Sequence, residues 1–441
     1  MGKIIAGRKG HMSKRKLLVL GGKPIGSCEL VRAAQDQGFY VVVADYLPVA
    51  ASPAKQIADA SWELSTADLG ALKQRCIEER IDGVLSGVHE FNLRKMAALS
   101  EMLELPCYCT EAQQDLCDDK PRFKGACREA GLAVSGEYTE AEAYDLPPSA
   151  YPLAVKPRDG SGSRGFTKCE TPEELAEAIS FAKEHSFCGE ALIEEFVDSD
   201  ALIVQYTAHE GNIYFCGLTD KASRKMGAEG APIMSLQIAP SVHTQEYLDT
   251  TDEKMRYLLA SLDMKEGPIW LELFYAGGKF IVNEIGYRFG GSLTYHLVRE
   301  LYGVDQLKLE ISHAMGDKGE DLQVKPCFDG VYAIWPLHLH AGKIAQISGI
   351  DQLPNLPEHI ALVQVHYVGD EIADWGSAQQ VFAYVHLKGE NIPALLDSMR
   401  SILDSIQVVD SDGNDMLFSL FDPWDNEALS CFVDRPLDAA C

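Results

Sequence analysis

Short apolar runs alternate with amphipathic stretches over the first hundred residues. In order they predict strand 16–20, helix 27–37, strand 39–45, helix 67–79 and strand 83–86. A glycine-rich turn, residues 21–26, joins the first strand to the first helix. Strands that alternate with helices in this way are typical of a parallel sheet. We therefore predict an α/β domain with a doubly wound parallel sheet over residues 17–112.

The middle of the chain combines a lysine-bearing strand with a loop rich in glycine and serine. Asp119 and Lys120 begin a predicted helix, and the apolar strand 151–157 has Lys156 near its end. Residues 158–166 then form a loop whose free backbone N–H groups could wrap around phosphates. It is not a P-loop, because Phe166 follows the last glycine where that motif requires lysine. A flexible surface hairpin is the alternative.

A further apolar strand, residues 191–197, carries Glu194 and Glu195 near its end, and Asp198 and Asp200 follow it. The edge of such a strand offers backbone donors and acceptors to a nucleotide base. A neighbouring carboxylate can accept hydrogen bonds from ribose hydroxyls. This edge is therefore a candidate nucleoside site.

A hairpin near residue 277 places one glutamate in each of two apolar arms. The arms are 269–275 and 280–285. A two-residue turn at Gly277–Gly278 would put Glu272 and Glu284 on opposite faces, whereas a three-residue loop ending at Lys279 would make them face each other. Facing carboxylates repel unless a cation lies between them, and their hard oxygens suit Mg²⁺. Outward-pointing glutamates on an edge strand are the alternative.

The last part of the chain mixes strand and helix patterns. Strands are predicted at 331–335, 362–367 and 382–387, and a helix at 392–406. We therefore predict a C-terminal α+β domain. His338 and His340 share one face of a predicted strand, and we interpret them as a structural pair.

Composition narrows the class of protein. The 441 residues are 46% hydrophobic and 24% charged, with a net charge of −27. Such acidity argues against a nucleic-acid partner, whose phosphates need basic surface. No uncharged apolar run reaches 18 residues, which argues against a membrane partner. Twelve cysteines without a CxxC pair indicate reduced thiols in the cytoplasm, although Cys107 and Cys109 leave a CxC site open.

The first sixteen residues contain six basic residues and no acidic one. They lack the apolar core of a secretory signal. Gly10-His11-Met12 looks like a cloning scar with Met12 as the natural start, and a transit peptide is the alternative. We interpret residues 1–16 as a tag or a disordered tail.

The order and spacing of these features resemble the ATP-grasp superfamily, and within it the carboxylate–amine ligases similar to biotin carboxylase and the L-amino-acid (dipeptide) ligases. The motifs that carry the resemblance are Lys120, Lys156, the loop 159–165, the edge 194–197, the pair Glu272 and Glu284, and Arg288. The resemblance implies a multidomain α/β and α+β fold. Its ATP-grasp domain of two α+β subdomains would cover residues 113–320, with a lid at about 150–195, and a biotin-carboxylase-like α+β domain would cover 321–441.

The resemblance also implies roles for individual residues. ATP would be bound by Lys120, Lys156, Gly160, Ser161, Gly162, Ser163, Gly165, Glu194, Glu195, Phe196, Val197 and Asp200. Glu272 and Glu284 would hold Mg²⁺, with Mn²⁺ as the alternative. Lys156 and Arg288 would be catalytic. Candidate substrate-binding residues are Lys221, Arg224, Lys225, Arg288, Gly290 and Gly291, although a solvated basic loop is an equal reading of the three at 221–225.

One position departs from the family pattern. The family usually has an asparagine two residues after the second glutamate as a further metal ligand. Here that position is Gly286, while Asn283 stands one residue before Glu284. Both glutamates that would hold the first metal ion are present, so this departure affects mainly the binding of a second metal ion.

The function implied is an ATP-dependent ligase that activates a carboxylate as an acyl-phosphate and joins it to an amine. Amino-acid or peptide-like substrates, a homodimer, and release of ADP and phosphate follow from the same resemblance. Two alternatives stay open. The N-terminal sheet could serve a nicotinamide-dependent oxidoreductase, with Asp45 on a ribose, although Gly21, Gly22 and Gly26 do not match the G-x-G-x-x-G fingerprint. A biotin-type carboxylase component would need a carrier, and the chain has no Met-Lys-Met site.

Overall fold

The computed structural model describes residues 14–159, 165–199, 201–226, 232–317, 321–374 and 376–425. These residues form two compact units. The first contains the described residues up to Cys107 together with 307–317, and the second contains 108–306 together with those from 321 onward.

The described strands, in chain order, are β1 Lys16–Leu20, β2 Tyr40–Asp45, β3 Ala60–Glu63, β4 Gly83–Ser86, β5 Ala133–Val134, β6 Glu137–Tyr138, β7 Leu153–Pro157, β8 Thr167–Cys169, β9 Ala191–Glu195, β10 Ala201–His209, β11 Asn212–Lys225, β12 Pro232–Ala239, β13 Gly267–Ala276, β14 Lys279–Gly286, β15 Val331–Leu339, β16 Gly342–Ser348, β17 His359–Gln364, β18 Glu371–Ile372, β19 Val381–Gly389, β20 Gln407–Asp410 and β21 Leu417–Phe418. The α-helices are α1 Ser27–Asp36, α2 Pro53–Ile57, α3 Leu69–Glu79, α4 Glu90–Leu103, α5 Glu111–Asp118, α6 Lys120–Glu129, α7 Glu140–Tyr144, α8 Leu175–Glu184, α9 Thr244–Thr250, α10 Asp252–Ser261, α11 Tyr295–Tyr302, α12 Gln306–Ala314 and α13 Ile392–Ser405. Short 3₁₀ segments lie at Val49–Ala51, Pro148–Ala150, Pro172–Glu174, Ile350–Asn355 and Ala378–Gln380. Within the described ranges, no helix combines the length and the apolarity that crossing a bilayer would require.

The first unit is built on a four-stranded parallel sheet in the order β3-β2-β1-β4. Strands β1 and β2 consist almost entirely of buried apolar residues, as strands covered on both faces must. The predicted parallel sheet is confirmed, and its order reverses beside β1, as in doubly wound folds. Strand β3 was not predicted, because its sequence is short, half polar and buries only Trp62.

Asp45, at the end of β2, ties the glycine-rich turn together. Its carboxylate accepts hydrogen bonds from the backbone N–H of Gly22 at 2.8 Å and the hydroxyl of Ser52 at 2.7 Å. The ammonium of Lys55, which is fully buried, lies 2.7 Å from the other oxygen. Both oxygens are therefore engaged within the protein, which does not favour a ribose-binding role for Asp45.

The second unit is built on a ten-stranded sheet, which we call the central sheet. Its strand order is β17-β19-β15-β12-β11-β10-β13-β14-β5, with β21 beside β15. The predicted C-terminal strands and helix are present as β15, β17, β19 and α13. They join the sheet through the pairing of β12 with β15, and Leu236 and Ile238 of β12 share a core with Trp335, Leu387 and Met399. Residues on both sides of position 320 thus build one sheet. A separate C-terminal domain from residue 321 stays a prediction.

A smaller antiparallel sheet, in the order β6-β9-β7-β8, occupies the predicted lid region. Leu153 and Val155 of β7 and Ile193 of β9 pack into a core with α8. Because successive side chains on a strand alternate between faces, Ala154 and Lys156 point away from that core. The alternation thus places Lys156 on the face opposite α8.

Candidate active site

The β13–β14 hairpin brings Glu272 and Glu284 directly opposite each other. The turn is the two-residue one at Gly277–Gly278, and both glycines have the positive φ that a type I′ turn requires. We expected a two-residue turn to place the two glutamates on opposite faces of the hairpin. That expectation is wrong, because Glu272 pairs directly with Glu284. The reason is a β-bulge: the register shifts between Glu272 and Leu273, and Asn283 is the extra residue. The two carboxylates therefore share one face.

A cavity of about 350 Å³ opens between the smaller sheet and the central sheet of the second unit. Its lining comprises Lys120, Ser135, Ala154, Lys156, Pro157, Asp159, Phe166, Glu194, Glu195, Phe196, Val197, Ser199, Ala201, Lys221, Ser223, Pro232, Glu272, Phe274, Asn283 and Glu284. Lysines and carboxylates thus meet in a cleft that also has apolar walls. Such a combination suits a ligand with a planar apolar part and a charged part.

Two lysines share the buried carboxylate of Glu194 on the smaller sheet. Lys156 lies 2.7 Å from one oxygen, and Lys124, whose side chain is fully buried, contacts the other. The Lys124 ammonium also donates to the Ser135 hydroxyl at 2.8 Å. Burial would raise the pKa of Glu194, but Lys156 and Lys124 outweigh it and the pKa is lowered. Glu194 therefore stays ionised and holds Lys156 in position.

On the central sheet, Glu272 is held by Lys221 and Asn283. Lys221 contacts one carboxylate oxygen, and the Asn283 amide donates to the other at 2.8 Å. Burial opposes ionisation of Glu272, but the Lys221 charge prevails and lowers its pKa. Asn283 also accepts a hydrogen bond from Lys156 at 3.0 Å. Its side chain thus connects Lys156 of the smaller sheet with Glu272 of the central sheet.

The base of the glycine-rich loop is anchored by Asp159. Its carboxylate accepts from the Ser186 hydroxyl at 2.6 Å and from the backbone N–H groups of Phe187 and Cys188 at 2.9 and 3.0 Å. Burial acts to raise the pKa of Asp159, and these hydrogen bonds lower it overall. The strand end beside the cavity is thereby fixed.

Residues 149–296 match a family model described as the ATP-grasp domain. The chain contains an ATP-grasp domain. The matched segment runs from just before β7 into α11 and holds every cavity-lining residue except Lys120 and Ser135. The predicted resemblance is therefore confirmed.

Curated relatives are ligases and transferases that match part of the chain. A formate-dependent phosphoribosylglycinamide formyltransferase of Erythrobacter litoralis is 27% identical over 218 residues, covering 46% of this chain and 53% of that protein. A D-alanine–D-alanine ligase of Halalkalibacterium halodurans is 28% identical over 164 residues, covering 35% and 53%. The chain thus spans about half the length of these relatives.

Solved structures show the same fold over most of the chain. The L-amino acid ligase of Bacillus licheniformis superposes with a TM-score of 0.71 at 18% identity, covering 90% of this chain and 99% of that one. The biotin carboxylase domain of the Hydrogenobacter thermophilus 2-oxoglutarate carboxylase gives a TM-score of 0.74 at 18% identity, covering 92% of each. These likenesses concern the fold.

Many of the predicted site residues meet in the cavity of the ATP-grasp domain. They are Lys120, Lys156, Glu194, Glu195, Phe196, Val197, Lys221, Glu272 and Glu284. Gly165 lies at the end of the loop with φ +75°, where an added Cβ would fall 2.6 Å from His185. Gly160, Ser161, Gly162, Ser163 and Asp200 lie outside the described residues. The roles assigned to all these residues stay predictions.

The remaining substrate candidates do not line the cavity. The Arg288 guanidinium lies 5.1 Å from the centre of the Trp270 ring and donates to the carbonyl of Phe289 at 3.0 Å. Arg224 donates to the carbonyl of Ser223 at 2.9 Å. Lys225, Gly290 and Gly291 are likewise absent from the lining. Arg288 thus lies over Trp270 and is not among the residues that line the cavity.

Sequence reasoning missed several residues of the site. Lys124 is four residues after Lys120 on α6, a spacing that puts both lysines on one face of the helix and could have revealed it. Phe166 and Phe274 join Phe196 in the apolar wall, but isolated phenylalanines carry no chemical signal in a sequence. The place of Asn283 in the cavity depends on the bulge, and no local pattern in the sequence predicts that bulge.

Proposed function

We propose that this ATP-grasp protein is an ADP-forming ligase that joins a carboxylate to an amine through an acyl-phosphate. The observation that carries the proposal is the convergence of Lys120 and Lys156 with the facing pair Glu272 and Glu284 in one cavity. A triphosphate needs cations from the protein and a divalent ion, and such a cleft offers both kinds of site. In a chain of net charge −27, this local concentration of lysines is what an anionic ligand requires.

The donor set fits a hard divalent cation. Glu272 and Glu284 lie opposite each other on adjacent strands and line the cavity. Within the described ranges, no three His, Cys, Asp or Glu side chains cluster as a metal site, so the position depends on these two carboxylates and on oxygens from other groups. Mg²⁺ is commonly held by one or two carboxylates together with substrate phosphates. When bound, Mg²⁺ or Mn²⁺ would neutralise charge on the phosphates.

The chain's own residues bind and orient the reactants in the proposed reaction. Lys120 and Lys156 hold the phosphates, and the wall of Phe166, Phe196 and Phe274 packs against the base. The substrate carboxylate attacks the γ-phosphorus, and the bond from that phosphorus to the ADP oxygen breaks. The amine nitrogen then attacks the acyl carbon and phosphate leaves. Arg288 is proposed to stabilise the acyl-phosphate.

Amino-acid or peptide-like compounds are the proposed substrates. The support comes from relatives named as a D-alanine–D-alanine ligase and an L-amino acid ligase. A cytoplasmic homodimer is proposed with them, and the biotin carboxylase domain dimer among the solved structures supports its dimeric part.

The test is a screen for ADP release over pairs of amino acids and small carboxylic acids. ADP release should require both a carboxylate and an amine. Lys156→Ala should lower turnover at least about a hundredfold, as loss of a transition-state donor does. Lys183→Ala is the matched control, because Lys183 lies on α8 in an exposed pair with Glu140. Unaltered turnover in Lys156→Ala would contradict the proposal.

A further inference from the structure

Asn283 owes its position to the bulge in β14. In an unbulged strand its side chain would point to the face opposite that of Glu284, because neighbours on a strand alternate. The bulge instead sets Asn283 and Glu284 together against Glu272, and all three line the cavity. A bulge of this kind re-aims one side chain at small cost to the rest of the sheet.

The contacts of Asn283 determine how its amide is oriented. A lysine can only donate and an ionised carboxylate can only accept. The oxygen Oδ1 must therefore face Lys156, at 3.0 Å, and the nitrogen Nδ2 must face Glu272, at 2.8 Å. The amide group consequently lies between Lys156 and Glu272, with its oxygen facing the lysine and its nitrogen facing the carboxylate.

Both of these partners have other ligands to bind in the proposed function. Lys156 would turn toward the phosphates, and one lysine cannot bind them and also keep its contacts with both Glu194 and Asn283. Its departure would leave the amide oxygen of Asn283 without its donor beside two carboxylates. A neutral oxygen at that point adds a ligand for a hard cation without adding charge to a site that must also accept a polyphosphate.

We propose that Asn283 is the third protein ligand of the metal ion. The inference rests on the proposed function, since it assumes a metal–nucleotide complex in this cleft. It assigns metal binding to Asn283, whereas a purely structural role would be limited to bridging Lys156 of β7 and Glu272 of β13.

The two roles predict different responses to metal. A bridge that only holds Lys156 would, when removed, weaken nucleotide binding with and without metal alike. A metal ligand would, when removed, weaken metal binding selectively. Aspartate at this position keeps an oxygen that can bind the metal ion but cannot donate a hydrogen bond to Glu272. The Asn283→Asp variant therefore tests metal binding without the bridge.

The experiment compares wild type, Asn283→Ala and Asn283→Asp, with Asn414→Ala as control because Asn414 lies on an exposed turn with Asp410. Mn²⁺ binding is measured by EPR with ADP present, and ADP binding is measured by calorimetry in EDTA. We expect Asn283→Ala to weaken Mn²⁺ binding about tenfold or more, while ADP affinity in EDTA changes less than about twofold and Asn283→Asp retains Mn²⁺. Melting curves verify that each variant is folded.

Several results would overturn the inference. Mn²⁺ affinity of Asn283→Ala within about twofold of wild type would do so, as would equal losses in the Ala and Asp variants or a wild type that binds no Mn²⁺. Failure of the proposed function has a different signature, namely a wild type that binds ADP and Mn²⁺ normally yet releases no ADP from ATP with any carboxylate and amine.

Discussion

Replacing Lys124 with methionine tests how the cleft holds its buried charges. Lys124 is fully buried on α6, and its ammonium contacts Glu194, which is itself nearly inaccessible. Methionine preserves much of the length and apolar volume of the lysine stem, so the change removes mainly the charge and the bond to Ser135. The Lys124→Met variant therefore isolates the electrostatic part of the contact.

The expected cost follows from what remains around Glu194. Stranding a buried charge by removing its partner costs about 3 to 5 kcal/mol. Glu194 would not be stranded, because Lys156 stays 2.7 Å away. For Lys124→Met we therefore expect a loss of about 2 to 3 kcal/mol, at or below the low end of that range. Glu194→Gln leaves two lysines without their carboxylate, one of them fully buried, and should cost more, about 3 to 5 kcal/mol.

The measurement is the free energy of unfolding from urea titration at pH 7 for both single variants and the double variant. The double variant removes the buried pair, so its loss should be clearly smaller than the sum of the two single losses. Lys183→Met, in an exposed ion pair, is the control and should change stability by less than about 1 kcal/mol. If Lys124→Met were no more destabilising than this control, or if the losses were additive, the shared-carboxylate reasoning would be refuted.

Two further predictions concern the core of the second unit. Burial lowers the pKa of His338 to about 4, below the 6.5 expected when unfolded, so the unfolded state binds the proton more tightly and stability should fall as the pH drops from about 6.5 toward 4. His338→Phe should remove up to about 3 kcal/mol of that pH dependence. The measurement is the free energy of unfolding from urea titrations at pH 7, 5.5 and 4.5. The same dependence of that free energy on pH in wild type and variant would contradict the prediction. At Gly286 an added Cβ would lie 2.2 Å from the indole nitrogen of Trp270, so Gly286→Ala should cost about 1 to 3 kcal/mol and change the tryptophan emission. Gly291→Ala, where an added Cβ meets open space, should leave both the melting temperature and the emission unchanged.

The parts of the site that could be read from the sequence are those whose signal is local. Apolar runs that contain charged residues predicted β7, β9, β13 and β14, and the lysines and glutamates on them predicted phosphate and metal binding. Asp119 and Lys120 marked the start of α6, where Asp119 caps the helix by accepting from the backbone of Arg122. These elements can be predicted from the sequence because side-chain periodicity and helix capping depend only on residues close together in the chain.

Other features depended on contacts between distant residues. Lys124 and Glu194 are 70 positions apart, and only the packing of α6 against the smaller sheet pairs them. Strands from the C-terminal part join the central sheet through β12 and β15, a pairing that no local pattern specifies. Arg288 lies over the ring of Trp270, a contact that no local pattern specifies, and its predicted role at the substrate stays a prediction.

By itself, the sequence determined the strands and helices whose apolar pattern is regular, which faces of them are apolar, and which charged groups are available for chemistry. Only the tertiary structure decided the register of the β13–β14 hairpin, and with it the shared face of Glu272 and Glu284 and the place of Asn283. The physical reason is that a strand's alternation of faces is a local property, whereas its register is the outcome of all cross-strand hydrogen bonds and side-chain contacts together. One extra residue, accommodated as a bulge, therefore reverses the side on which the following side chains lie.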